Sequence, residues 1–288
     1  MLPPYAKKAP FQIGFPPSLL GESAWRLPVI AKAESFFAVW KPRGIAPKAH
    51  PWYEGLPDLE SAVAQQVDAG KRELVEALGV HWAKVTHGFD REAEGAVLFA
   101  SQPEAAAAIK NLIGSGGLEF VFHFVSYPTA PGGDEFSCDL PVAAHFNEKR
   151  GFVSHRHGKK ANTHFRKIKD LGGFALWEAT TDYPRMHQIR LHAAEMGIPL
   201  LGDQTTSEDQ EAFRRMLPSR FYRGSLPFPF LMAEIKGQLG DEPIQVRADW
   251  SKSYASFLRS VESDCSRTRR TGQTGRTGRT SPTGRTSR

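Results

Sequence analysis

Apolar residues recur along this chain with two periods. Between residues 118 and 127 they alternate: Leu118, Phe120, Phe122 and Phe124 fall on one face, Val121, His123 and Val125 on the other. Period two predicts a strand, and two mostly apolar faces place it centrally in a sheet. The run at 96–100, AVLFA, predicts a second buried strand, and residues 34–40, 80–86, 152–154, 162–169, 174–181, 230–235 and 244–248 predict others. Elsewhere the period lengthens. Leu59, Val63 and Val67 repeat every four residues, with Asp58 as N-cap and Gly70 as the stop. Pro103 opens a helix that Gly114 ends. Ile189, Ala193 and Met196 mark one face of a helix over 187–196, and Arg190 follows Ile189 by about 100°, at the edge of that face. Two further helices are predicted over 208–216 and 253–261.

The flanks differ from this body. Residues 1–28 are rich in proline and without periodicity, so 1–33 are expected to form an extended arm, packed on the body or partly loose, ahead of a domain over 34–262. From 263 to 288 the composition narrows to Thr, Gly, Arg and Ser, with Gly-Arg-Thr recurring at 275, 278 and 284, and a disordered tail is expected.

Composition sharpens this only in part. A chain of 288 residues with 40% hydrophobic content can bury a sizeable core. No apolar run approaches the roughly 20 residues of a membrane helix, and prolines interrupt the N-terminus where a signal peptide needs an apolar helix. A cytoplasmic protein with no membrane partner is the expectation. Cys138 and Cys265 have no metal-ligand spacing. The net charge of +6 suggests nucleic acid until its location is considered. Seven arginines and no acid lie in 265–288; without them 30 basic residues face 31 acidic ones. The body is near neutral, so an RNA cleft there needs a local positive patch. The strongest one combines Lys149, Arg150, His155, Arg156, His157, Lys159 and Lys160, either a solvated hairpin tip or a phosphate contact.

Candidate chemistry centres on residues 85–100, VTHGFDREAEGAVLFA. Gly88 and Gly95 bracket a polar loop that holds Asp90, with Arg91, Glu92 and Glu94 close by. A carboxylate on a loop between two strands suits catalysis; capping a turn or pairing with Arg91 is the plainer role. Trp52 and Tyr53 lie on another loop, where aromatic rings either stack on bases or pack against their own protein. His187 and His192 are five apart, unsuited to one metal on a regular helix, and are expected to hydrogen-bond in the core or cleft.

These segments resemble the RluA-type family of RNA pseudouridine synthases. His87-Gly88-Phe89-Asp90-Arg91 through Gly95 is similar to the family's HRLDxxTSG motif, which carries the catalytic aspartate. Pro184-Arg185-Met186-His187-Gln188-Ile189-Arg190, ending at Gly202-Asp203, is similar to its GRTHQIR…GD block, whose arginine pairs with that aspartate. Weaker matches follow in order at Lys41-Pro42-Arg43-Gly44, at 161–166 and at 231–233. The resemblance implies an α+β fold: a mixed, largely antiparallel sheet with flanking helices and a central RNA cleft. It implies isomerisation of uridine to pseudouridine in ribosomal or transfer RNA, without metal or organic cofactor, by a monomer. Asp90 would be the catalytic carboxylate, Arg190 its partner and Phe122 the ring stacking on the flipped base. His87, Arg91, Arg185, His187, Gln188 and Lys41 would bind substrate.

Three departures from the family pattern stand out. Gly88 replaces the arginine two places before the aspartate; Phe122 replaces a tyrosine, with Phe120 at a lysine position; and Ala93-Glu94-Gly95 replaces TSG while Pro184-Arg185-Met186 replaces GRT. A binding protein or RNA chaperone that no longer isomerises is the alternative they raise, and a hydrolase built on Asp90, Glu92 and Glu94 is a more distant one.

Overall fold

The computed structural model describes residues 11–127, 133–171, 173–203 and 227–272, leaving out the side chains of 264–272. The predicted helix at 208–216 and the tail beyond 272 lie outside the described residues.

One mixed sheet dominates. Its strands in chain order are β1 (Gln12–Phe15), β2 (Trp25–Lys32), β3 (Phe36–Lys41), β4 (Lys84–Val85), β5 (Glu94–Ala100), β6 (Leu118–Ser126) and β7 (Glu135–Cys138). After the separate hairpin of β8 (Val142–His145) and β9 (Arg150–Val153) come β10 (Thr163–Asp170), β11 (Ala175–Thr181), β12 (Phe230–Leu239) and β13 (Glu242–Arg247). The path across the sheet is β1-β2-β3-β5-β12-β6-β11-β10-β7, with β13 also on β12 and β4 also on β5. The described pairings within it are antiparallel except β5 with β12, where Glu94 lies opposite Leu231 and Gly95 opposite Met232. β6 lies between β12 and β11, where its two apolar faces require it to be.

The helices are α1 (Leu59–Asp68), α2 (Arg72–Val75), α3 (Pro103–Leu112), α4 (Gln188–Glu195) and α5 (Lys252–Gly272), with a 3-10 turn at Pro51–Tyr53. Asp58 caps α1 as expected, its carboxylate accepting from Ser61 N at 2.9 Å. Phe36, Phe37, Val97, Leu98, Phe99, Phe120, Phe122 and Phe124 are all buried in one core. A smaller cluster seats α5, through Phe257, Leu258 and Val261, against Val125, Tyr127 and Phe174.

Within the expected extended arm, residues 12–15 and 25–32 are packed on the body: β1 and β2 extend the main sheet, with Ile13 and Leu27 in the core. Pro28 interrupts the alternation that would have revealed β2. At the other end, α5 continues past 262 to Gly272. Gly95 has φ +121°, and a Cβ there would lie 2.2 Å from Met232 O, so only glycine allows β12 to approach β5 this closely. Gly88 has no such φ requirement: its value is not in the left-handed range.

Candidate functional site

The loop between β4 and β5 meets the N-terminus of α4 beside the parallel pairing of β5 with β12. Asp90 is 3% exposed. Its Oδ1 accepts from the backbone N of His187 at 2.7 Å, and its Oδ2 lies 3.4 Å from Arg190 Nη1. His187 is the N-cap of α4 and holds a left-handed backbone, φ 60°. That strained geometry turns an amide donor at the positive end of the helix toward the carboxylate.

Arg190 divides its guanidinium among three acids. Nε and Nη2 grip Asp203 at 2.9 and 2.5 Å, while Nη1 reaches Asp90 and, at 3.6 Å, Glu92. The two-pronged grip of the guanidinium is therefore on Asp203, and Asp90 receives a single contact. Burial opposes the charge on Arg190, but the bonds and charge of Asp203, with Asp90 and Glu92 behind it, raise its pKa and keep it cationic. Asp203 stands at the end of the GD motif and joins the site as a residue that sequence reasoning missed.

Several expected substrate contacts do other work. Lys41 is 0% exposed, and its Nζ bonds Ala93 O at 2.5 Å, Pro42 O at 3.1 Å and Arg91 O at 3.3 Å. It fastens the Asp90 loop from behind. Burial lowers its pKa from 10.5 to about 7 against the pull of Glu92, Glu94 and Asp90. Gln188 is also fully buried, its amide donating to Asn162 O, Thr163 Oγ1 and Thr181 Oγ1. His87 is buried and accepts from Leu98 N at 3.1 Å; burial drives its pKa down to about 3, so it is neutral. His187 accepts from Gly151 N at 3.2 Å, which docks the β8–β9 hairpin beside the site, and its pKa is lowered, chiefly by burial. His192 bonds Thr163 Oγ1 and Leu140 O, as a core histidine. Arg91 and Arg185 remain partly exposed, the first 5.7 Å from the Tyr53 ring centre and the second 4.3 Å from that of Tyr183.

Phe122, expected as the stacking ring, lies in the core. It is 2% exposed and stacked on Phe230 at 5.5 Å, inside the core. The aromatic ring at the mouth is Tyr53, half-buried beside a cavity of about 390 Å³ that also touches Arg190, Asp203, His187, Glu92 and Phe228. Burial and the nearby Glu92 and Asp90 push the Tyr53 phenol pKa up, so it stays a hydroxyl. Lysine and arginine from the hairpin, Lys149 and Arg150, close the far side, although Glu148 pairs with Arg150 at 2.5 Å and offsets part of the charge. Asp90, Glu92 and His187 also bring three donor atoms within 4.8 Å of one another, a set that could hold a metal ion. Arg190 already supplies positive charge to both carboxylates.

A mixed sheet with a buried carboxylate–arginine pair at its parallel seam defines a pseudouridine-synthase fold. Human RNA pseudouridylate synthase domain containing 4 shares it, with a TM-score of 0.63 over 81% of this chain and 92% of that one at 13% identity. The model of the RNA pseudouridylate synthase family matches residues 35–195, and the chain belongs to that family. An uncharacterised RNA pseudouridine synthase of Synechocystis is 27% identical over 180 residues, 62% of this chain and 53% of that protein. Ribosomal large subunit pseudouridine synthase D of Zymomonas mobilis is 27% identical over 145 residues, 49% of this chain and 44% of that protein. The chain thus spans about half the length of these two relatives. Among the described residues, no helix is long and apolar enough to cross a membrane.

Proposed function

We propose that this protein isomerises uridine to pseudouridine in ribosomal or transfer RNA, with Asp90 as the catalytic carboxylate. One observation carries the reading: Asp90 is withdrawn from solvent yet held by a helix-terminal amide and by Arg190, beside a cavity walled by Tyr53. The reaction breaks the bond from C1′ to N1 of uracil, turns the base, rejoins it to C1′ through C5 and releases the C5 proton as N1 takes one up. A carboxylate serves as nucleophile at C1′ or as the base that starts an elimination. Arg190, fixed by Asp203, keeps a positive charge beside it in a site from which water is largely excluded. Tyr53 offers its ring to the base once that base has left the RNA stack, at a cost of a few kcal/mol.

The test is carbodiimide mapping of pseudouridine in total RNA from a deletion strain, complemented with wild type or Asp90→Ala. A site lost on deletion and restored only by wild type supports the reading and names the substrate. Persistence of every site in the deletion strain overturns it for abundant RNA.

A further inference from the structure

A second cleft, about 650 Å³, opens beside the Asp90 loop between residues 46–53, β4 and α3. Three lysines converge on it from three separate segments: Lys48 from the loop, Lys84 from β4 and Lys110 from α3. None has a carboxylate within ion-pair distance among the described residues. Glu60 is the acid whose charge Lys48 feels, and its Oε2 is already bonded to Val85 N at 2.7 Å. Lys84 and Lys110 both disfavour the charge on Lys48, adding to the effect of its burial, while Glu60 favours it. Three ammonium groups on one cleft, with Glu60 nearby but no carboxylate in ion-pair contact among the described residues, leave positive charge that an anion would meet.

Gly88 makes room for this arrangement. A methyl group at position 88 would touch Lys48 Cε at 3.4 Å, and any longer side chain would compete for the same space. The cleft also shares walls with the neighbouring cavities. It shares Tyr53 with the cavity at Arg190, and His50, Tyr183 and Met186 with a cavity under the β8–β9 hairpin. A strand whose uridine enters beside Tyr53 would pass its neighbouring backbone through the lysine cleft.

We infer that Lys48, Lys84 and Lys110 form a cradle for the phosphodiesters of the RNA strand next to the target uridine. This rests on the proposed function for its ligand. Lysine is well matched to such a role, because a point charge grips phosphate without reading a base. The cradle therefore sets register, not sequence.

The experiment titrates fluorescein-labelled single-stranded RNA with the full chain over a series of KCl concentrations, read by anisotropy. Each phosphate contact contributes about 0.7 to the slope of log K against log salt for a single strand. Replacing all three, as K48Q/K84Q/K110Q, is expected to lower the slope by about 2 and the low-salt affinity by about tenfold or more. The charge-matched control R26Q/K32Q/K252Q, at exposed positions that line neither cleft, is expected to leave the slope within about 0.5 of wild type. Gly88→Leu, which fills the space of Lys48 without changing charge, is expected to remove about 0.7. An unchanged slope in the triple variant, or an equal loss in the control, overturns the cradle. Equal competition by uridine monophosphate and by RNA at matched phosphate concentration also overturns it, assigning the cleft to a free nucleotide. A retained cradle with no isomerisation in the mapping experiment would instead remove the catalytic reading alone.

Discussion

The Arg190 site and the lysine cleft are neighbours with opposite electrostatics. Arg190 meets three carboxylates at 2.5 to 3.6 Å inside the protein. Lys48, Lys84 and Lys110 meet none among the described residues. The first region is completed by folding and the second is left for a ligand to complete. Buried pairs are little screened by salt, whereas exposed charges are strongly screened. The two regions should therefore separate cleanly: chemistry insensitive to salt, binding sensitive to it.

The largest effect that would break this contrast is at Asp90. Asp90→Asn is expected to reduce isomerisation by about 10⁴-fold or more, while RNA affinity, measured by anisotropy, stays near wild type. A matching loss of affinity would mean that the carboxylate belongs to binding. Next is Asp203→Asn, which removes the charge that fixes Arg190. Breaking a buried pair costs about 3 kcal/mol or more, so thermal unfolding should drop by several degrees, with activity falling alongside. A fully active, equally stable variant would show that Asp90 and Glu92 alone hold the arginine.

Smaller effects sharpen the contrast. Loss of one base-stacking ring is worth about 1–3 kcal/mol, so Tyr53→Ala should lower kcat/KM by about tenfold to a hundredfold with little change in melting temperature. Phe122→Leu should do the reverse, costing about 1 kcal/mol of stability and sparing kcat/KM. A pH dependence at Lys41 gives a further test. Its folded pKa, about 7, lies below its ordinary 10.5. Between those values the unfolded chain binds more protons, so Lys41 makes stability rise with pH. The difference in melting temperature between wild type and Lys41→Met should accordingly shift in favour of wild type from about pH 7 toward pH 10. A pH-independent difference would show that the buried amine does not titrate there.

Much of this was legible in the residues. Alternation placed β6 at the middle of the sheet, spacing placed α1 and α4, Pro103 and Gly114 bounded α3, and the HQIR block brought Arg190 to Asp90. What was not legible depended on contacts distant in sequence. Lys41 and Gln188 look like ligand-binding residues because polar side chains near a motif usually are; here distant carbonyls and hydroxyls consume their donors. Phe122 and Tyr53 could be distinguished only by the three-dimensional fold, since alternation says that a ring faces one side of a sheet without saying what covers that side. Asp203 reads as the end of a motif, and a carboxylate closing a turn gives no local sign of the guanidinium it meets. β2 was hidden by Pro28, and β1 by being four residues long.

The seam at Gly95 bears on how the protein is made. Strand β5 acquires its parallel neighbour only from β12, which leaves the ribosome after more than a hundred intervening residues. Closing so long a loop is entropically slow, and contacts of high sequence separation delay folding. The segment that carries Asp90 therefore lacks its β12 support throughout most of synthesis. A nascent chain stalled or truncated before Phe230 would carry the Asp90 and Arg190 motifs without the seam beneath them, so the site should reach its final support late in translation.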